Sequence, residues 1–183
     1  ASGMIEGVLD ITTTEVADEI VGGVFPAGPA RLDTLIKHGI PLVLSLGAVD
    51  MVNFGARETI PKEFQDRRLH VHNPQVTLMR TTADENREMA RWIAGKLNRS
   101  VSPVTVVVPQ GGVSALDAPG QPFHDPEANA ALFAALRESL NETDSRRIVW
   151  SPHHINDSQF AELLVAEFRA LRRAAVDSAG LQS

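Results

Sequence analysis

The segment Val104-Thr105-Val106-Val107-Val108 constrains the fold more than any other stretch of the chain. It is β-branched at every position and ends at Pro109, with Gly111-Gly112 just beyond. β-branched side chains are stiff and pack well on a pleated surface, so this run reads as a strand. Ile40–Leu46 is a second strand-like run, and its continuous apolar character fits a strand covered on both faces. Such a strand requires a layer of structure on each side.

The rest of the chain supplies those layers. Met4–Ile11, Ile40–Leu46, Arg68–His72 and Arg147–Ser151 read as further strands. Amphipathic segments separate them. A helix is expected from about Thr13 to Val21, with Thr12 and Glu15 at capping-box spacing and Gly22-Gly23 as its stop. A second is expected from Pro29 to His38. Thr82 and Glu85 form another capping box, ahead of Met89, Trp92, Ile93 and Leu97 at helical spacing. Asp125-Pro126 opens a helix that buries Leu132, Phe133, Leu136 and Leu140. A final helix carries Phe160, Leu163, Leu164, Phe168 and Leu171. Strand and helix in alternation predict an α/β, Rossmann-like three-layer sandwich with a mostly parallel sheet of about five strands. Gly47–Pro61 reads as a long loop, or a loop with one short turn. Residues 1–174 read as one domain, with a frayed tail over 175–183.

Composition removes several function classes. A chain of 183 residues with 43% hydrophobic and 22% charged residues is an ordinary globular domain. The net charge of −6 argues against a duplex nucleic-acid partner. The absence of cysteine removes disulfides, thiolate metal sites and cysteine nucleophiles, and fits a reducing, cytoplasmic location. No apolar run is long enough to cross a bilayer. The opening Ala1-Ser2-Gly3-Met4 reads as an internal fragment of a longer protein or as an expression remnant.

In a parallel sheet the segments that follow each strand emerge at one edge, where ligands bind. Here they are Asp10–Thr14, Gly47–Gly55, His72–Arg80, Gln110–Asp117 and Ser151–Asp157. Thr12, Thr13 and Thr14 lead into a helix start, which suits an anion; the plain alternative is that Thr12 only caps the helix. Gly111, Gly112 and Ser114 suit a phosphate cradle, although this is neither a Walker loop nor a dinucleotide fingerprint, and paired glycines also make ordinary turns. Asp50 or Asp117 would orient magnesium or ribose. Asn53, Asn73, Arg80 and Asn156 are further polar candidates at the same edge, and Asp117 and Asn156 also suit turns or caps. His72, His154 and Asp10 are candidates for acid–base work on a phosphorylated or carboxylated metabolite. Met51 and Phe54 fit core packing, a ligand base, or a partner chain such as a second copy in a homodimer. No ligand spacing for structural zinc is present.

The strings Leu9-Asp10-Ile11-Thr12-Thr13-Thr14-Glu15-Val16-Ala17-Asp18, Gly47–Gly55, His72–Thr82, Gly112–Gly120 and His154–Asp157 carry a resemblance. From about Gly7 to Phe168 the chain resembles the second half of the tomato mosaic virus resistance protein-like family, largely uncharacterised proteins of plants, bacteria and fungi. The resemblance implies a missing amino-terminal α/β subdomain. It also implies ATP binding, associated with the two-subdomain region; magnesium carried by such a nucleotide would have Asp10, Asp50 or Asp117 near it. It transfers no individual ATP contact to residues of this chain.

Overall fold

The computed structural model describes residues 4–180, with side chains described for 4–174. Two sheets form, not one. Strands β1 (Val8–Thr12), β2 (Leu42–Gly47), β6 (Val104–Pro109) and β7 (Arg146–Ser151) make a parallel sheet in the order β1-β2-β6-β7. Strands β3 (Met51–Phe54), β4 (Leu69–Asn73) and β5 (Val76–Arg80) make a small antiparallel sheet in the order β3-β5-β4. The parallel sheet thus has four strands where about five were expected. The strand around Arg68–His72 belongs to the second sheet, where it pairs with β5.

The helices are α1 (Thr14–Val21), α2 (Asp33–Lys37), α3 (Ala83–Leu97), α4 (Pro126–Ser139) and α5 (Ser158–Gly180). Strand order follows chain order, so every crossover steps the same way across the sheet. Right-handed crossovers in one direction keep their helices on one face. Accordingly Val16 and Ala17 of α1, Met89, Ile93 and Leu97 of α3, and Leu132 and Leu136 of α4 share a core with Leu42, Leu44, Leu46, Val104, Val106 and Val108. Helix α5 follows the last strand and covers the other face, where Phe160, Leu164 and Leu171 meet Val43 and Val107. The alternation of inward residues along β2 and β6 therefore serves two cores.

Local signals explain the best-formed ends. Thr82 accepts from the Glu85 amide at 3.2 Å, and the Glu85 carboxylate accepts from the Thr82 amide at 2.7 Å, completing the expected capping box. The Asp125 carboxylate accepts from the Ala128 amide at 3.0 Å, with Pro126 in the first turn of α4. The other expected capping box does not form. Thr13, not Thr12, occupies the cap of α1, with no capping bond from its side chain, and Glu15 turns instead to Arg31 at 2.7 Å. The expected helix over Pro29–His38 shortens to Asp33–Lys37. The expected tail over 175–183 lies outside the residues whose side chains are described. No helix among the described residues is long and apolar enough to cross a membrane.

Candidate functional site

The carboxyl ends of β2 and β6 converge on a buried charged network. Asp50 follows β2, Ser114 and Asp117 follow β6, and Arg80 ends β5; all four are buried. The Ser114 hydroxyl donates to Asp50 Oδ2 at 2.7 Å. Asp117 Oδ2 accepts from the Val113 amide at 3.0 Å and from Asn129 Nδ2 at 2.6 Å. Arg80 donates through Nε to the Phe123 carbonyl at 2.7 Å and through Nη2 to Asn129 Oδ1 at 2.9 Å. Its Nη2 lies 3.5 Å from Asp117 Oδ1. Arg80 Nη1 also donates to Thr81 Oγ1 at 2.9 Å.

The network holds two carboxylates and one guanidinium away from water. Burial pushes the Asp50 carboxyl up to about 6, against the pull of the Ser114 hydroxyl and the Arg80 charge. Burial likewise lowers the Arg80 value from its usual range, against Asp50, Asp117 and Asp125. Oδ1 of Asp50 and Oδ1 of Asp117 have no hydrogen-bond partner among the described residues. A proton on Asp50 relieves the excess of negative charge.

Arg80 was expected in a loop before a helix. It instead ends strand β5 and ties that strand to the start of α4. Asp50 and Asn53 were expected within one long loop, but Asn53 lies on β3. Its amide nitrogens serve Asp18, a residue absent from the expected set. Asn53 N donates to Asp18 Oδ1 at 2.6 Å, Asn53 Nδ2 donates to Asp18 Oδ2 at 3.1 Å, and the Phe25 amide donates to Asp18 Oδ2 at 2.9 Å. Burial raises the Asp18 carboxyl above its ordinary value despite these donors.

The glycine pair has a packing cause. A side chain at Gly111 would meet the His154 amide at 2.5 Å, and one at Gly112, where φ is +135°, would meet the His154 ring at 2.5 Å. The pair admits the β7–α5 turn against the β6 loop. The loop donors are engaged there: Gly111 N donates to the His153 carbonyl, Gly112 N to the Pro109 carbonyl, and Val113 N to Asp117. His154 is fixed at both ring nitrogens, by the Ser114 carbonyl at 2.9 Å from Nε2 and the Asn156 amide at 3.1 Å from Nδ1. The Asn156 side chain is exposed.

The remaining candidates scatter. Asp10 is paired with Arg31 at 2.5 Å, and burial raises its carboxyl above the ordinary value. Thr12 is exposed; Thr13 is buried, with its hydroxyl 3.5 Å from the Ser45 carbonyl; Thr14 donates to the Met51 carbonyl at 3.2 Å. His72 and Asn73 do not emerge at the parallel edge. They lie exposed on β4 of the antiparallel sheet, where Asn73 Oδ1 accepts from the Gln75 amide at 2.9 Å and shapes the β4–β5 turn. His72, His154 and Asp10 are thus held in three different elements.

A cleft of about 250 Å³ opens above the network, between the β6 loop and the start of α4. Gln110, Gly111, Gly112, His124, Pro126 and Phe133 are among its walls. His124 Nδ1 lies 2.9 Å from the Asp117 carbonyl. Phe133 meets Trp150 edge-on at 6.1 Å between centroids. No group of three metal-ligating side chains is found among the described residues.

Residues 1–172 match the model of the uncharacterised protein family UPF0261, C-terminal domain. The chain is 54% identical over 166 residues to the ToMV resistance protein Tm-1(GCR237) of Solanum lycopersicum, covering 91% of this chain and 22% of that protein. It is 52% identical over 168 residues to a UPF0261 protein of Rhizobium meliloti, covering 92% of this chain and 42% of the relative. A UPF0261 protein of Clostridium tetani is 51% identical over 160 residues, covering 87% of this chain and 39% of the relative. The chain belongs to the UPF0261 family as its C-terminal domain, and it spans less than half the length of these relatives.

Proposed function

We propose that this UPF0261 C-terminal domain forms one wall of a nucleotide site, with ATP as the ligand, at the carboxyl edge of its Rossmann-like sheet. The observation that carries the reading is the buried Asp50–Ser114 and Asp117–Asn129–Arg80 network beneath an open cleft. Removing charges from water costs several kcal/mol per ion, so such a network is a weak source of stability. It does hold the cleft floor in one geometry, which is what a binding site needs.

The Phe133 ring and Pro126 offer a flat apolar surface to a base, and Gln110 and the free edge of His124 offer polar contacts. The Gly111–Val113 amides are engaged within the fold, so phosphate contacts come from elsewhere. The exposed Thr12 beside the start of α1 is one source, and the part of the family's chain beyond this domain is the other. Asp10, Asp50 and Asp117 each have a partner already. Magnesium arrives on the phosphates.

Calorimetric titration of magnesium-ATP into this domain and into a full-length family chain tests the reading. Weak or absent binding to the domain with saturable binding to the longer chain is expected. No binding to either removes the nucleotide.

A further inference from the structure

The two edges of the parallel sheet differ. Strand β7 is closed by its own approach: Thr143 bridges to Arg146, with the Thr143 amide donating to the Arg146 carbonyl at 2.8 Å, and the Ile148 amide reaches Glu142 Oε2 at 3.5 Å. Phe133 and the Arg137 guanidinium, 4.5 Å from the ring centroid, cover Trp150. Strand β1 has no closing bridge of this kind among the described residues. Among the described residues it pairs with β2 and with no other strand.

Apolar side chains line this open edge. Met4, Ile5 and Ile11 are 82%, 59% and 42% exposed, in the strand and the segment leading into it. That lead-in is seated on the domain. A side chain at Gly7 would lie 3.1 Å from the Phe168 ring, and Glu6 pairs with Arg172. Natural edge strands are usually blunted by lysine, proline or an inward charge. β1 carries no lysine or proline, and its one charge, Asp10, is neutralised by Arg31.

We infer that the β1 edge is a docking strip for an extended strand from the amino-terminal part of the family's chain, which continues the parallel sheet outward past β1. The family's chains are more than twice the matched length, and the matched part is their C-terminal domain, so a large segment precedes β1 in them. A strand of about five residues matches the length of β1. Main-chain hydrogen bonds hold it, and apolar side chains cover Ile5 and Ile11. This inference does not rest on the nucleotide reading, which concerns the cleft beside β6 and α4.

Hydrogen–deuterium exchange without nucleotide tests it, comparing this domain alone with a full-length family chain. In the longer chain the peptide aligned with Val8–Thr12 is expected to exchange at least tenfold more slowly. Equal exchange in the two overturns the inference. So does slow exchange in the isolated domain that grows with protein concentration, because a second copy is then the occupant. Ile11→Lys supplies the second arm. The isolated variant is expected to keep its melting temperature, and the same change in the longer chain is expected to restore fast exchange of the strip. Protection that persists in the substituted longer chain also overturns the inference.

Discussion

The Ser114 hydroxyl donates to Asp50 Oδ2 at 2.7 Å across 64 residues of sequence, joining the turn after β2 to the loop after β6. The bond fixes the two central strand ends relative to each other. It also places a carboxyl in a site from which water is excluded, and that has a consequence for pH.

Asp50 titrates near 6 in the fold against an ordinary 3.8. A raised acid pKa means that the folded state holds the proton more tightly. The contribution is full below about pH 4 and is lost as pH rises through about 6, a change of about 3 kcal/mol. Asp50→Asn is expected to stabilise the domain at pH 7 to 8 and to flatten that part of the profile. Urea midpoints for both proteins from pH 4 to pH 8 measure it; parallel curves for the two would remove Asp50 as the titrating group.

Arg80 stands near two buried carboxylates. Arg80→Met is expected to cost about 3 to 5 kcal/mol, because it leaves buried negative charge uncompensated. Adding Asp117→Asn should recover part of that loss. The double-mutant cycle measures the coupling, and strict additivity would mean that Arg80 acts through packing alone.

Gly111→Ala drives a methyl group into the His154 amide, with 2.5 Å available. The nearest atoms of Pro152, His153 and His154 are all backbone, so none yields cheaply. A loss of about 2 kcal/mol or more is expected, together with displacement of the β7–α5 turn. Thermal melting and the imidazole resonances of His154 report the two effects.

His154 accepts from the Asn156 amide at Nδ1, which leaves Nε2 to donate to the Ser114 carbonyl. Nitrogen NMR of the neutral ring should find the proton on Nε2. A proton on Nδ1 would contradict the hydrogen-bond assignment and reopen the ring for acid–base chemistry.

Much of this arrangement is legible in the sequence. Val104–Val108, the Thr82–Glu85 capping box and the Asp125-Pro126 start are local signals, and each forms as read. The antiparallel sheet is hidden because β3 sits between glycines in a loop-like stretch and β5 follows an Asn-Pro turn signal. Once that sheet is missed, Arg80 looks like a surface residue and His72 looks like an edge residue. Asp50, Ser114 and Asp117 are recognisable as polar residues after strands. Their mutual contact is not, because it depends on strand order. Asp18 and Asn129 lie within helices, where a polar residue reads as solvent-facing until the partner segment is known.

The proposed nucleotide site is the cleft beside β6 and α4. The most direct measurement is a magnesium-ATP titration of a full-length family chain, compared with the same chain carrying Gln110→Ala and Phe133→Ala at the aligned positions. The variant is expected to bind at least tenfold more weakly, about 1.4 kcal/mol, with the fold intact by circular dichroism. Equal affinity in the two chains would place the nucleotide outside this cleft.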